Sequence, residues 1–452
     1  MIHRFELNGY KLVVDVDSGS VHVVDDLVYR IVGLYERHSP EEIVRQLSGT
    51  WPHAEVLDAV NQVQSLVDEG LLFSKIEHRE RLGERVHDGR VIKALCLNVA
   101  HSCNLNCSYC FAAQGTYKGE QAIMPLETGR RAMDFLIENS DSRHNLEVDF
   151  FGGEPLLNWG MVKETVAYAR SLEAKHNKHF RFTLTTNGLL IDEDVIEFTN
   201  REMANVVLSL DGRKETHDRF RVTQGGKGCY AVVVPKFQEL VRRRTRGSYY
   251  IRGTYTHCNT DFLTDILHMA DLGFDEISME PVVCPPDQPY ALTEEDLPVL
   301  KDQYERLAVE MLRRDREGRG FHFYHFTVDL DHGPCIYKRI AGCGAGTEYL
   351  AVTPGGDLYP CHQLVDDPGF LMGNIWQGVV RLDLRNKFSQ CNVFSRPECE
   401  DCWARFYCSG GCAANAYHVN GKLPGVDTYG CELFRKRMEC ALMMKAASLP
   451  KR

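Results

Sequence analysis

The placement of the cysteines constrains this chain more than any other feature. Of 17, three fall within residues 103–110 and eight between Cys335 and Cys412, with Cys431 and Cys440 just beyond. A disulfide mini-scaffold is far shorter than 452 residues. The amino terminus, MIHRFELNGYK, lacks the basic and apolar regions of a signal peptide, and no uninterrupted apolar stretch is long enough to cross a bilayer. The chain is therefore expected to be cytoplasmic, where thiols stay reduced, and clustered cysteines there read as metal ligands. Fifty-two Lys and Arg against 63 Asp and Glu give a net charge of −11, which excludes a chain-wide nucleic-acid footprint or an anionic membrane surface as partner.

The length suggests about three domains, and the patterning divides the chain accordingly. In residues 1–80, Leu12, Val13, Val14 and Val16 precede a turn at Asp17-Ser18-Gly19-Ser20 and then Val21, Val23 and Val24, a hairpin signal. Ser39-Pro40-Glu41-Glu42 offers an N-cap, a first-turn proline and an N3 glutamate, opening a short helix. In a longer one, Val56, Val60, Val63 and Val67 recur at helical spacing, Leu57 and Leu66 widen the stripe, and Gly70 ends it. Hairpin, helices and Leu71-Leu72-Phe73 suggest a winged-helix-like module. A polar linker is expected at Glu77–Arg90.

Over residues 91–315, strands are expected near 91–99, 145–151, 180–185, 204–210, 248–255 and 276–282, with helical patterns between most of them, such as Phe262, Ile266, Met269 and Leu272. Six βα repeats predict an α/β fold whose parallel sheet is open or curled into a partial barrel, with ligand chemistry at the carboxyl ends of the strands. A helix is expected over about 294–316. Residues 335–440 are dense in Cys, Gly and turn signals, as expected of a domain folded around metal.

Two constellations carry chemistry. Cys103-Asn104-Leu105-Asn106-Cys107-Ser108-Tyr109-Cys110, a CxxxCxxC directly after the first barrel strand, can hold a metal cluster and leave one coordination position open. His101 could supply a fourth ligand, so spacing alone leaves zinc open. With the aromatic Tyr109 before its third cysteine, this motif resembles the signature of the radical S-adenosylmethionine (SAM) enzymes. The resemblance implies a partial (β/α)6, TIM-like barrel. Downstream, Gly152-Gly153-Glu154-Pro155 ends the second strand and is similar to that family's GGEP motif, whose backbone and glutamate engage the methionyl amine of SAM. Glycines let a backbone approach a ligand closely, and a carboxylate complements an ammonium. The same resemblance places Thr186 and Asn187 at the end of the third strand, Ser209 at the end of the fourth and Arg252 on the fifth near SAM. For Arg252, bidentate binding of the SAM carboxylate and an internal salt bridge are equal alternatives. No catalytic base is identified.

The second constellation is Cys343, Gly356-Asp357-Leu358-Tyr359-Pro360-Cys361, then Cys399, Cys402, Cys408, Cys412 and finally Cys431. It resembles the seven-cysteine SPASM pattern, which implies two auxiliary 4Fe-4S clusters in addition to the SAM-binding one: Cys343, Cys361 and Cys412 for the first, Cys399, Cys402, Cys408 and Cys431 for the second. Cys335 would close the first cluster or leave it open to a substrate thiolate. Cys96, Cys229, Cys258, Cys284, Cys391 and Cys440 have no motif and are read as buried small apolar residues.

The amino-terminal module resembles a leader-peptide recognition domain, in which a peptide docks as an added strand, and a small packing domain is its alternative. The whole chain resembles the maturases of six-cysteines-in-forty-five-residues peptides. This implies an enzyme that cleaves SAM reductively to a 5′-deoxyadenosyl radical and forms thioether cross-links in a ribosomally made cysteine-rich precursor, recognised through its leader. An electron donor such as a flavodoxin or ferredoxin is implied, and neither nucleic acid nor membrane is. Formylglycine formation in a sulfatase and cross-linking of a quinoprotein subunit are the alternatives. The acceptor residue, its carbon position and the number of cross-links are left open.

Overall fold

The computed structural model describes residues 1–75, 91–117, 119, 121–330 and 339–449. The expected linker, Glu77–Arg90, and Cys335 lie outside the described residues.

Strand β1 (Ile2–Leu7) carries too little alternation to be read from hydrophobicity, yet it pairs antiparallel with β2 (Tyr10–Asp15). Its signal is the turn: Asn8 and Gly9 have φ of 49° and 79°, the paired positive values that a tight primed hairpin needs and that Asn-Gly supplies. β2 pairs with β3 (Val21–Val24) in the expected hairpin. Three helices follow, Asp26–Leu34, Pro40–Leu47 and His53–Asp68. The first is additional to the sequence reading and is capped by Asp25, whose carboxylate accepts from the Val28 amide at 2.8 Å. The second carries the expected capping box, the Ser39 amide donating to Glu42 at 3.0 Å and the Glu42 amide to Ser39 Oγ at 3.3 Å. Val56, Val60 and Val63 of the third are buried, whereas Leu57 is exposed rather than widening the stripe.

The six expected barrel strands all form, alternating with helices: β4 (Ala94–His101), then, after a short β5 (Ala122–Ile123) against β4, β6 (Asn145–Gly152), β7 (His179–Thr186), β8 (Met203–Ser209), β9 (Ser248–Tyr255) and β10 (Glu276–Pro281). β4, β6, β7, β8, β9 and β10 lie side by side in chain order, all parallel. These six strands are added in one direction only, as a winding barrel requires and a doubly wound sheet forbids. Its faces differ. Phe180, Phe182 and Leu184 of β7 and Ile251 and Tyr255 of β9 are buried, while the intervening Thr183, Thr185 and Arg252 are half-buried. One face is sealed, and the other carries half-buried polar side chains. Leu97, Phe150, Phe182 and Ile251 are fully buried, each stabilising the fold by about 1.5–3 kcal/mol.

The helix expected over 294–316 runs from Leu297 to Arg316. A further parallel strand, β11 (His322–Phe323), then joins β10. At the other edge, β12 (Tyr349–Val352) pairs parallel with β4 and continues antiparallel through β13 (Asp357–Tyr359), β14 (Gly373–Asn374) and β15 (Gly378–Val379). The cysteine-dense segment therefore extends the barrel sheet. Its last helix, Thr428–Ser448, packs against Leu297–Arg316 and against β1 and β2. There the His3 ring stacks on Trp403 with centroids 4.0 Å apart, and Asp17 meets Arg405 at 2.5 Å. β3 keeps an outer edge with no strand paired to it among the described residues. No helix among these residues is long and apolar enough to cross a membrane.

Candidate functional site

The first cysteine loop leaves the carboxyl end of β4 with Cys103, Cys107 and Cys110 half-buried. Backbone and side chains from several elements hold it. The Leu105 amide donates to Cys103 Sγ at 3.4 Å, Asn187 Nδ2 stands 3.7 Å from the same sulfur and 2.7 Å from Asn104 Oδ1, and Gln224 donates to the Cys103 and Leu105 carbonyls. Burial, with Glu154 adding to it at Cys103 and Arg221 opposing it at Cys107, pushes both thiols up to about 12. Such sulfurs become thiolates only when a metal takes the charge, and three soft donors on one tight loop fit an iron-sulfur cluster with an open position. Among the described residues, no three His, Cys, Asp or Glu side chains close around a single ion; thiols spaced round a polynuclear cluster are a wider arrangement. His101 is buried, stacks on Tyr117 at 4.7 Å and faces Asp366 at 3.6 Å.

Gly152 and Gly153 pack closely against the root of the cysteine loop. A Cβ on Gly153 would fall 2.1 Å from the Ser102 carbonyl oxygen, and one on Gly152, whose φ is +126°, would fall 2.6 Å from the Ala100 oxygen. The glycines let the end of β6 press against the root of the cysteine loop, where the Gly153 and Glu154 amides donate to Ala100 and Ser102 at 2.8 and 2.9 Å. The side chain of Glu154, 1% exposed, accepts from the Thr186 hydroxyl (2.8 Å), the Asn187 amide (2.8 Å) and the Leu156 amide (3.0 Å). Burial raises it to about 7 against these three bonds. Glu154, Thr186 and Asn187 thus form one buried strut between β6, β7 and the cysteine loop. We expect Gly153→Ala to displace that loop and cut iron retained at Cys103, Cys107 and Cys110 at least tenfold, with a stability cost of about 1–3 kcal/mol from overpacking; iron analysis beside denaturant unfolding checks it.

Tyr109 sits between Phe220 and Arg221, its ring centroid 5.2 Å from Phe220, and its hydroxyl donates to Asp211 at 2.5 Å. Asp211, fully buried, also accepts from Arg221 at 2.9 and 3.1 Å and from the Thr254 amide at 3.0 Å. Asp211 and Arg221 lie ten residues apart in the chain, and their pairing beside Tyr109 requires the fold. Ser209 ends β8 directly beside Arg252 in the register. Arg252 makes the internal salt bridge, 2.6 Å to Glu280 of β10; against the effect of burial, Arg252 holds the Glu280 carboxyl down to about 2.

Among the seven cysteines of the second constellation, some thiols influence one another electrostatically. Cys361 and Cys412 lie within electrostatic reach of each other and of Cys343, and Cys408 within reach of Cys399, Cys402 and Cys431. Of the unassigned cysteines, Cys96, Cys229 and Cys440 are buried as expected, but Cys258, Cys284 and Cys391 are only half-buried. Phe111, next to Cys110, faces Phe151 and His362 with centroids 6.3 and 5.6 Å apart, and Phe151 faces His362 at 4.9 Å. His362 follows Cys361, so one aromatic wall joins the first cysteine loop to the segment that carries Cys361. A cavity of about 720 Å³ opens where the β2–β3 turn (Asp17, Ser18), the barrel end (Glu280, His325) and the C-terminal segment (Trp403, Arg437) meet.

Comparison with known proteins bears on this site. Residues 97–254 match the model of the radical SAM superfamily. The chain is 21% identical over 95% of its length to the radical SAM cyclopropyl synthase TigE of Paramaledivibacter caminithermalis, covering 91% of that protein. It is 23% identical over 75% of its length to a cysteine-type anaerobic sulfatase-maturating enzyme of Clostridium novyi, covering 92% of it. Among solved structures, anSMEcpe with bound AdoMet superposes with a TM-score of 0.64 at 22% identity, over 79% of this chain and all of that one.

Proposed function

From a chain that carries a radical SAM domain and is related to peptide and protein maturases, we propose an enzyme that forms thioether cross-links between a cysteine sulfur and a carbon of an acceptor residue in a ribosomally made cysteine-rich peptide. Cys103, Cys107 and Cys110 hold the SAM-binding cluster, and the two C-terminal sets hold the auxiliary ones. Bound there, SAM and the reduced cluster supply a radical able to abstract hydrogen from the substrate. The protein's own part is positioning: Glu154, Thr186 and Asn187 fix the loop, and the half-buried face of β7 to β10 orients the peptide and excludes water.

The observation that carries this reading is the aromatic wall of Phe111, Phe151 and His362, which joins the first cysteine loop to the segment that carries Cys361, in this reading a ligand of one auxiliary cluster. A peptide thiolate held at that cluster would meet carbon activated at the first loop, and the electron released on bond formation would have an acceptor at hand. Peptide capture is supported by the open edge of β3. A strand paired antiparallel with β3 would run its carboxyl end toward Ser18-Gly19-Ser20, beside the cavity. The sulfatase-maturating relatives favour formylglycine formation as the second reading, but they leave about a quarter of this chain unmatched.

The test is mass spectrometry of a leader-bearing cysteine-rich peptide after anaerobic incubation with iron-loaded, reduced enzyme and SAM. Loss of two hydrogens and one alkylatable cysteine per cross-link is expected. Accumulation of 5′-deoxyadenosine with an intact peptide would keep the radical chemistry and reject the substrate.

A further inference from the structure

The buried cations of the C-terminal segment are unevenly paired. Arg405 meets Asp17 and Arg435 meets Glu432. Arg396 is 2% exposed, and among the described residues no oxygen accepts from its Nε, Nη1 or Nη2; the neutral Cys391 thiol is the hydrogen-bonding group beside it. A guanidinium carries five donors and a charge that cannot be shed by deprotonation. Withdrawn from water with no carboxylate beside it among the described residues, it is among the costliest groups a fold can hold, so an anion belongs beside it.

The surroundings identify that anion. Arg396 opens the short helix Pro397–Glu400, which carries Cys399. Nη1 lies 2.9 Å from where a Cβ of Gly410 would stand, and Gly410, with φ of +86°, sits between Cys408 of one set and Cys412 of the other. A side chain there would evict the guanidinium. Cys391 and Cys399 both feel the Arg396 charge, and Cys391 lies within reach of Cys343. The cation therefore stands between two groups of thiols that acquire negative charge together when they bind iron.

We propose that Arg396 is the shared internal counter-ion of the two auxiliary iron-sulfur clusters, compensating their thiolate charge and raising their reduction potentials. The inference rests on the assignment of those cysteines as cluster ligands. A thiolate-ligated cluster gains one negative charge on reduction, and a fixed cation in a dry site favours the reduced form.

The test is an EPR-monitored redox titration of anaerobically reconstituted, full-length protein. Arg396→Gln is expected to lower the reduced-to-oxidised ratio of the auxiliary clusters about tenfold at fixed potential, about 59 mV for a one-electron couple, and to leave the SAM-binding cluster unmoved. Arg396→Lys should restore most of the shift. Unchanged auxiliary potentials in a fully loaded Arg396→Gln protein would overturn the proposal. Should substitution impair loading, stability decides. Without clusters, Arg396→Met should resist denaturant at least as well as wild type, because the uncompensated charge is gone; with clusters, it should surrender iron to a chelator faster. Equal destabilisation of both forms would assign Arg396 a packing role and reject the counter-ion. Iron and sulfide content of wild type tests the cluster assignment itself: iron for the SAM-binding cluster alone would remove that assignment and this inference together, whereas full iron with unmoved potentials removes only the latter.

Discussion

Replacing Cys103, Cys107 and Cys110 together by alanine is expected to abolish 5′-deoxyadenosine formation and remove one cluster's iron while the auxiliary iron stays. Apart from the long contacts of the Leu105 amide and Asn187 Nδ2 to Cys103 Sγ, the loop's shape rests on the Gln224 bonds to the Cys103 and Leu105 carbonyls and on the Gly153 and Glu154 amides donating to Ala100 and Ser102, which do not involve sulfur. The variant therefore keeps its fold and loses only its donors. A graded comparison sharpens the result. Asn187→Ala removes the side chain 3.7 Å from Cys103 Sγ and should weaken activity by about 10–100-fold, the usual cost of losing an outer partner of a metal ligand. The triple variant should fall below that range. Product analysis by liquid chromatography together with iron counts would show it, and a triple variant retaining activity within the Asn187→Ala range would remove these cysteines from the chemistry.

Asp211→Ala is expected to be the most destabilising single substitution outside the cysteines, at about 3–5 kcal/mol. Asp211 is fully buried and serves Arg221 twice, Tyr109 and the Thr254 amide at once. Its removal strands a guanidinium whose side chain is 12% exposed and leaves an amide and a phenol without acceptors. Because Tyr109 lies within the CxxxCxxC loop, cluster retention should fall as well. Denaturant unfolding of the cluster-free protein measures the first effect separately from the second. Arg221→Met in the Asp211→Ala background should recover much of the loss, since an apolar replacement of both partners removes the uncompensated charge. Failure of that recovery would mean that Asp211 matters for packing and not for the ion pair.

The strands of the barrel were legible because each pairs an apolar run with a helical pattern after it, and period alone distinguishes the two. β1 and the helix Asp26–Leu34 escaped for the opposite reason: one half-exposed and short, the other spanning few buried positions, each marked only by local chemistry at Asn8-Gly9 or Asp25. β11 and β12 are two and four residues long, too short for any periodicity to register, and become strands because an open sheet edge lies beside them. Arg252 shows the limit for single side chains. Its charge and its place on the fifth strand could be read from the chain, but not its pairing with Glu280, which stands opposite only because β9 and β10 are neighbours. Arg396 left no signal at all, since an arginine becomes a buried cation beside thiols only once the loops around it close.

By itself the sequence determined the order of elements, the cysteine spacings and therefore the class of chemistry, because these depend on contacts within a few residues along the chain. Tertiary structure decided what those residues do to one another. It made Gly152 and Gly153 a close-packing contact with the cysteine loop, turned Glu154 into a strut between β6 and β7, and set His362 against Phe111. It also seated the amino-terminal strands on the final helix. The physical reason is that desolvation, charge compensation and steric exclusion depend on distance in space, and residues hundreds of positions apart in the chain acquire those distances only when the sheet and its coverings assemble.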